Sequence, residues 1–445
     1  MGFSNKDLTI CKCLSLECLK IKYDYKKDMK VLFITLGRTV KIDIHGIYSD
    51  LLRKFHKEGH ELYIVYPFER RNGKPTSLQE EGGVRYLGVW TLNIQKTNVI
   101  EKGIGTLLVE TQFEHAIDKY FKNISFDLIL YTTPPITFPN LIAHLKKANP
   151  KAKTYLMLKD IFPQNAVDLG MMIGSWTKVK GSGLRMPINI AKYGLYKLFR
   201  SKEKKLYRCS DYIGCMSPAN VDYIIRNNPE VDKTRVEVCP NSLELVHEGV
   251  KYNRREEILK RYGIPYDNPI FIYGGNLGKP QGIDFFVHAL EANSRRKDCH
   301  FLIIGDGTEY NKIESWIKES QPMNVTLIKR LPKDDYDELA SYCDIGLICL
   351  DHKFTIPNFP SRILAYLENH KPVVVATDPI CDMGPIVQQN GFGFWCESDN
   401  VAAFTECIDK ILSSDFKSMG EKGYEYLSKN YLVENTYNAI IKHFE

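Results

Sequence analysis

The chain has 445 residues, a hydrophobic share of 44%, a charged share of 26% and a net charge of +6. These values are ordinary for a globular protein, and the length predicts two domains because a single hydrophobic core seldom grows that large. No apolar run approaches the roughly 18 residues that a membrane-spanning helix needs. The N-terminus lacks the apolar stretch and cleavage site of a secretory signal. Because the net charge is modest, we expect no nucleic-acid partner.

The twelve cysteines do not follow a metal-ligand pattern. Most of them lie in apolar, strand-like runs, where cysteine acts as a small buried hydrophobe. Only Cys11, Cys13 and Cys18 cluster, and no histidine or second cysteine pair completes a zinc site. We therefore expect no metal site, and we expect free thiols, which are typical of the cytoplasm.

The elements predict a two-domain α/β protein. Residues 1–28 carry little helix or strand pattern, which is typical of a disordered leader. From Met29 onward, short apolar runs alternate with helical stretches, and this alternation predicts βα units around parallel sheets. The strands are predicted at residues 30–35, 61–66, 127–131, 154–158, 212–216 and 235–239, and then at 269–273, 300–304, 325–328, 345–349, 372–376 and 392–395.

A polar, charge-rich stretch separates the two series of strands and predicts a linker with one helix. We divide the chain into the leader 1–28, a first Rossmann-like domain 29–240, the linker 241–268, a second Rossmann-like domain 269–430 and a last helix. That helix, in residues 431–445, is expected to cross back to the first domain. Two doubly wound domains of this kind enclose a cleft at the carboxyl ends of their strands, where ligands tend to bind.

The positive charge is concentrated in one segment. Ten basic residues and one acid, Glu203, lie between Lys178 and Arg208, interleaved with apolar side chains. A segment with basic and apolar faces suits an anionic membrane surface. The alternative is a solvated helix face that packs on its own domain.

Two stretches in the second domain predict phosphate binding. Residues 273–282 follow a strand and precede a helix, and they contain the glycines that let a backbone approach a ligand, together with one cation. The candidates in this loop are Gly274, Gly275, Asn276, Lys279 and Gly282. The second stretch is residues 354–367, where Ser361 is a good N-cap. Arg362 follows it in the first helical turn, where a cation opposes the helix dipole unless an anion is bound. For the loop, the alternative is an ordinary glycine-rich turn with a solvated lysine. For Arg362, the alternative is that it pairs with Asp351 or lies flat on the surface.

Two further residues end strands of the second domain. Asp306, in the turn Gly305-Asp306-Gly307, either caps this turn or orients a ribose, and the cap is the favoured interpretation. Arg330 is a candidate for binding a base or a phosphate.

Together these motifs resemble the retaining glycosyltransferases of family 4, which have the GT-B fold. In the second half the resemblance rests on residues 274–282, 305–307, 344–347 and 360–372. In the first half, the motifs resemble the branch that builds bacterial capsule, O-antigen and exopolysaccharide repeats. These motifs are Gly46, Asp127, Thr133-Pro134-Pro135, residues 160–170 and residues 217–220. Order and spacing hold across most of the chain after Met29.

The resemblance implies that the second domain binds a nucleoside-diphosphate sugar, UDP-linked, and that the first binds the acceptor. It also implies retention of the anomeric configuration and no metal, since helix N-termini and cations stabilise a departing diphosphate. Several positions depart from the family. Its usual pair of glutamates falls at Pro357 and Ala365, and its usual Arg and Lys of the first phosphate loop fall at Asn276 and Gln281. Lys279 and Arg362 are expected to substitute for these cations.

Catalytic candidates follow from the resemblance. Asp160, at a strand end of the first domain, is the candidate for steering the acceptor or assisting its proton loss, and the alternative is a loop cap. His45, beside the donor-binding candidate Gly46, is the second catalytic candidate.

The leading hypothesis is a metal-independent transferase that is peripheral on the inner face of the cytoplasmic membrane. Its acceptor is a polyprenyl-diphosphate-linked or other glycan. The alternatives are a GT-B sugar-nucleotide epimerase, which the missing glutamates disfavour, and a non-enzymatic homologue that only binds nucleotide sugars.

Overall fold

The computed structural model describes residues 28–37, 40–94, 97, 99–134, 136–180, 183–245 and 254–444. Most of the predicted leader, the cluster of Cys11, Cys13 and Cys18, and part of the predicted linker lie outside the described residues. So does Pro135 of the Thr133-Pro134-Pro135 motif.

The first domain is built on an eight-stranded sheet. Its strands are β1 Lys30–Ile34, β2 Glu61–Glu69, β3 Ser77–Glu81, β4 Val84–Thr91, β5 Leu128–Thr132, β6 Lys153–Leu158, β7 Tyr212–Cys215 and β8 Val236–Val238. They lie in the order β3-β4-β2-β1-β5-β6-β7-β8. Only the β3–β4 pair is antiparallel. The six predicted strands are all present, whereas the β3–β4 hairpin was not predicted, because β3 reads SLQEE and is largely exposed.

The second domain is built on a six-stranded parallel sheet. Its strands are β9 Ile270–Asn276, β10 His300–Asp306, β11 Val325–Ile328, β12 Ile345–Cys349, β13 Val373–Thr377 and β14 Gly393–Glu397. Their order is β11-β10-β9-β12-β13-β14. The central strands are buried on both faces, as expected where helices cover both sides of a parallel sheet. The predicted fold class, two Rossmann-like α/β domains that face a cleft, is confirmed.

Helices cover both sheets. In the first domain they are α1 Ile47–Lys57, α2 Val99–Tyr120, α3 Pro139–Ala148, α4 Gln164–Asp168, α5 Trp176–Lys180, α6 Met186–Cys209 and α7 Pro218–Asn227. Helix α8, Arg255–Arg261, precedes the second sheet. The remaining helices are α9 Ile283–Ala292, α10 Tyr310–Ser320, α11 Lys333–Ser341, α12 Arg362–Glu368, α13 Met383–Gln389, α14 Val401–Leu412, α15 Phe416–Asn430 and α16 Val433–Ile441.

The last helix, α16, packs on the first domain. Tyr437 lies edge-on to Phe55 of α1, with 4.8 Å between the ring centroids. Its hydroxyl is 2.8 Å from Nε2 of His60 in the buried core. Leu243 and Leu432 form a parallel bridge just before this helix. The chain therefore closes on the first sheet after completing the second, which ties the two domains together.

Among the helices that the structure describes, none combines the length and the apolar character that crossing a bilayer requires.

Replacing Tyr437 tests how strongly α16 is held. Tyr437→Ala should lower the free energy of unfolding by about 3–5 kcal/mol, because it removes a large buried ring. Tyr437→Phe should cost about 1 kcal/mol, because it removes one hydrogen bond and keeps the ring. Urea denaturation of the full chain measures both. A loss below about 1 kcal/mol for Tyr437→Ala would contradict the packing described here.

Candidate active site

Two cavities meet at the carboxyl edge of the second sheet. The β9–β10 cavity, about 560 Å³ in volume, lies among the ends of β9 and β10, the loop after β11, and helices α11 and α12. The interdomain cavity, about 450 Å³, lies between the first domain and the loops that precede α9 and α12. Gly274, Gly275 and Arg362 line both cavities, so these three residues mark the junction.

Arg362 occupies this junction as the first residue of α12. Its guanidinium lies over the ring of Tyr273, 4.3 Å from the ring centroid, which is a cation–π geometry. The Nη1 atom is buried and has no hydrogen-bond partner. No carboxylate of the described residues forms an ion pair with Arg362, and the alternative pairing with Asp351 is absent. A guanidinium is always charged, so one held here without a counter-ion would be stabilised by an anion.

The two glycines of the junction bring the backbone close to this guanidinium. Gly275 has a positive φ of 125°, a conformation that favours glycine, and a Cβ there would lie 3.6 Å from Nη2 of Arg362. A Cβ at Gly274 would overlap the Tyr336 side chain. Glycine at these positions therefore leaves room for Tyr336 and for a ligand beside Arg362.

The rest of the predicted phosphate loop lies only partly in the cavity walls. Asn276 Nδ2 donates a 3.0 Å hydrogen bond to Gln281 Oε1, so these two side chains partly satisfy each other. Lys279 is exposed and lies outside the walls of both cavities. Gly282, with φ of 58°, begins α9 and fits closely against the backbone of Leu350 and Asp351. The structure thus brings Asn276 to the β9–β10 cavity but not Lys279 or Gly282.

Polar side chains line the far wall of the β9–β10 cavity. Arg330 and Lys333 are exposed cations there. Asp306 Oδ1 accepts a 3.0 Å hydrogen bond from the Gly307 N–H, which is the predicted turn cap. Tyr336 is half-buried, and burial raises its pKa to about 12, so it stays a neutral hydrogen-bonding group. The cavity therefore combines three cations, including Arg362, with one acid.

Ser361 does not cap α12, and this expectation from the sequence is wrong. Its backbone is helical and its side chain makes no capping hydrogen bond. Instead, Ser361 Oγ accepts a hydrogen bond from Asn241 Nδ2 of the segment that follows the first sheet. The hydroxyl forms this hydrogen bond across the domain interface because α12 begins where the two domains touch.

Further hydrogen bonds join the domains around the interdomain cavity. The Thr355 N–H donates to Asp168 Oδ2 at 2.8 Å, and its hydroxyl donates to Oδ1 at 2.8 Å. Asn220 Nδ2 donates to the carbonyl of Pro357, the position where the family carries its first glutamate. These contacts hold the loop before α12 against the first domain, and with it Arg362.

Asp160 lies in the wall of the interdomain cavity. Asn165 Nδ2 donates to both of its carboxylate oxygens, at 2.7 and 2.9 Å. Burial raises the pKa of Asp160 to about 6, although the hydrogen bond from Asn165 lowers it. The carboxylate is held in place, faces the second domain and changes charge near neutral pH.

His45 and Gly46 lie outside the walls of both cavities, at the domain interface. His45 Nδ1 is 2.9 Å from Asp50 Oδ2, and Nε2 is 3.9 Å from Glu368 Oε2 on α12. The hydrogen bond with Asp50 raises the pKa of His45. The Gly46 N–H donates to Asp50 Oδ1 at 3.0 Å. Asp50 thus fixes the loop that carries both candidates.

One group on the first domain brings three possible metal ligands together. Atoms of Glu114, Asp118 and His144 lie within 4.8 Å of one another. His144 Nε2 lies 2.9 Å from Asp118 Oδ1, so the imidazole already has a hydrogen-bond partner. None of the three residues lines either cavity.

The cavity walls include polar residues that were not predicted from the sequence, among them Lys159, Asn165, Lys333 and Tyr336. Lys159 precedes Asp160 and Asn165 follows it by five positions, so proximity to that motif was an available signal. Tyr336 had no such signal, because an aromatic residue on a helix reads as core packing.

The chain is similar in sequence to known proteins. Residues 254–430 match the family described as "Glycosyl transferases group 1". A probable glycosyltransferase of Pseudomonas aeruginosa, WbjE, is 25% identical over 162 residues, which are 36% of this chain and 40% of the relative. An uncharacterized glycosyltransferase of Methanocaldococcus jannaschii is 24% identical over 379 residues, covering 81% of this chain and 95% of the relative.

Solved structures share the fold at low identity. Sucrose-phosphate synthase from Thermosynechococcus elongatus matches with a TM-score of 0.70 and 13% identity, over 93% of this chain and 98% of its own. Anabaena HepE, solved in complex with UDP and glucose, matches with a TM-score of 0.61 and 14% identity, over 94% and 99%. The fold is therefore GT-B. With the matching second domain and the relatives above, the chain is a glycosyltransferase.

Proposed function

We propose that the enzyme transfers a sugar from a UDP-linked donor, with its diphosphate bound at the junction beside Arg362. The observation that carries this proposal is the buried Nη1 of Arg362, which has no hydrogen-bond partner. A diphosphate oxygen supplies both the missing acceptor and the missing negative charge. HepE, which has the same fold, binds UDP, and this supports the choice of nucleotide.

The two cavities divide the donor between them. The nucleoside occupies the β9–β10 cavity, where Asp306 faces the ribose and Arg330 faces the base or a phosphate. The sugar enters the interdomain cavity, where it meets the acceptor on the side of Asp160. The shared walls at Gly274 and Gly275 support this arrangement, since the diphosphate links the two parts of the donor.

The reaction proceeds with retention and without a metal, as in the family 4 enzymes that the sequence resembles. The bond between the anomeric carbon and the diphosphate breaks, and fixed cations stabilise the charge that develops on the leaving group. At the junction, Arg362 is the cation that stabilises the leaving group. The family's glutamate pair is replaced by Pro357 and Ala365, so neither carboxylate takes part.

Asp160 is the proposed group that steers the acceptor hydroxyl and assists its proton loss. Its position in the wall of the interdomain cavity and its pKa of about 6 support this role, because a base works best with a pKa near the operating pH. His45 is the second candidate, and its contact with Glu368 makes it sensitive to closure of the domains.

The acceptor is a polyprenyl-diphosphate-linked or other glycan in the synthesis of bacterial capsule, O-antigen or exopolysaccharide. The enzyme then works at the cytoplasmic face of the membrane. The support is a surface on α2, α5 and α6, which we call the apolar–basic surface. Its exposed apolar side chains include Ile104, Leu107, Trp176, Leu184, Ile188, Leu195 and Leu198.

The basic residues of this surface fall into two groups. Arg200, Lys202 and Lys204 form ion pairs with Glu203, Glu110 and Glu230 within the domain. Lys178, Lys180, Arg185 and Lys197 are exposed, as are Lys205 and Arg208 near the end of α6. The first four form no ion pair among the described residues, so they are available to meet anionic lipid.

Arg362→Ala should abolish the rise in melting temperature that UDP causes in the wild type. Arg362→Lys should keep only part of it, since lysine offers no planar fork of donors. Arg226→Ala, which removes an exposed arginine on α7, is the matched control and should leave the rise unchanged. A full UDP effect in Arg362→Ala would refute the proposed site.

An assay of the purified protein distinguishes the transferase from an epimerase and from a protein that only binds nucleotide sugars. In a panel of UDP sugars with EDTA present, a transferase gives transfer or slow hydrolysis. An epimerase gives exchange of epimers, and a binding protein gives neither.

Asp160→Asn should lower kcat for transfer by about 10²–10⁴-fold. Burial raises the pKa of Asp160, so the carboxyl is protonated and inactive as a base below pH about 6, and wild-type kcat should rise through that pH. This acid limb should be absent in Asp160→Asn. In Asn165→Ala it should move to higher pH, because the hydrogen bond from Asn165 lowers the pKa of Asp160. An unchanged limb in Asp160→Asn would exclude this role.

Replacing Lys178, Lys180, Arg185 and Lys197 together by Ser should weaken binding to vesicles of anionic lipid by at least about tenfold. A control variant with four other exposed lysines replaced, Lys122, Lys147, Lys151 and Lys417, has the same change in net charge and should bind as the wild type does. Equal loss in both variants would show that net charge alone acts, and no loss in the first would refute the surface.

A further inference from the structure

Lys159 is a cation that the proposed chemistry has not used. It directly follows the last residue of β6 and lines the interdomain cavity next to Asp160. Its Nζ donates a 3.0 Å hydrogen bond to the carbonyl of Cys239. An ammonium group has three donors, so this one bond leaves two of them without a partner among the described residues.

No carboxylate among the described residues pairs with Lys159. Asp160 is adjacent in sequence, but its two oxygens accept from Asn165. Burial lowers the pKa of the Lys159 amine to about 8, which reflects the cost of holding a charge there without a counter-ion. A nearby anion would remove that cost.

The second domain supplies one cation, Arg362, to this cavity. The family's Arg and Lys positions hold Asn276 and Gln281, which bond to each other. Lys279 is exposed outside the cavity walls. Of the residues that line the interdomain cavity, only Lys159 and Arg362 are basic, and they come from opposite domains.

We propose that Lys159 binds a phosphate group in the interdomain cavity, opposite Arg362, so that the two domains share the negative charge of one ligand. The inference rests on the proposed function, since it assumes a phosphate-bearing substrate in that cavity. The phosphate belongs either to the donor diphosphate or to the diphosphate of a lipid-linked acceptor. If it is the donor diphosphate, Lys159 couples ligand binding to closure of the domains, because that anion bridges Lys159 and Arg362.

The test compares Lys159→Met, which removes the charge, with Lys159→Arg, which keeps it. Lys147→Met, a change of an exposed lysine on α3, is the control. Calorimetry with uridine, UMP, UDP and farnesyl diphosphate measures affinity in the full chain. Melting without ligand shows whether each variant is folded.

If Lys159 contacts the donor, Lys159→Met should weaken UDP binding by about 10- to 100-fold and leave uridine binding unchanged, while Lys159→Arg retains most of the affinity for UDP. If it contacts the acceptor, the same loss should appear with farnesyl diphosphate and not with UDP. Unchanged affinity for both ligands in a folded Lys159→Met would overturn the proposal, even if its melting temperature falls.

Binding of the four compounds by the wild type distinguishes failure of this inference from failure of the proposed function. If it binds no uridine compound but binds farnesyl diphosphate in a manner that depends on Lys159, the donor assignment fails and the phosphate site stands. If the wild type binds none of the four compounds, both are overturned.

Discussion

The buried guanidinium of Arg362 is the constraint on which the site depends. It rests on the ring of Tyr273, has no carboxylate partner among the described residues and keeps a buried Nη1 without a hydrogen bond. Leaving a charged group in this state is costly, and a ligand of opposite charge would remove the cost. Gly275 lies close to this guanidinium, since a Cβ there would be 3.6 Å from Nη2. The two cavities meet at Gly274, Gly275 and Arg362, as the proposed binding of the donor across both requires.

Domain closure determines whether this site is complete. Hydrogen bonds from Thr355 to Asp168 and from Asn220 to the Pro357 carbonyl hold the loop before α12 against the first domain. The chain returns to the first domain in helix α16, which packs on α1. Asp160 and Lys159 therefore face Arg362 across a narrow cavity. An acid, a lysine and an arginine thus line one cavity, and the proposed function assigns them phosphate binding and proton acceptance.

Much of the fold could be predicted from the sequence, because buried parallel strands are continuous apolar runs and helices have clear ends. The β3–β4 hairpin escaped prediction because its outer strand is polar and exposed. Candidate residues on loops were harder. Arg362 was singled out because a cation in a first helical turn is unfavourable without an anion, but its burial on Tyr273 depends on tertiary packing. Lys279 reads as a phosphate ligand in a glycine-rich loop, yet its side chain turns to solvent, and Ser361 bonds to Asn241 across the domains. Such directions are set by neighbours that are distant in sequence.

The most direct measurement is a crystal structure of the enzyme with UDP. A diphosphate oxygen should lie within hydrogen-bonding distance of Arg362 Nη1, beside Gly275, with the uridine in the β9–β10 cavity. A diphosphate bound at Lys279 on the outer face of the loop, with Arg362 Nη1 still without a partner, would contradict the account.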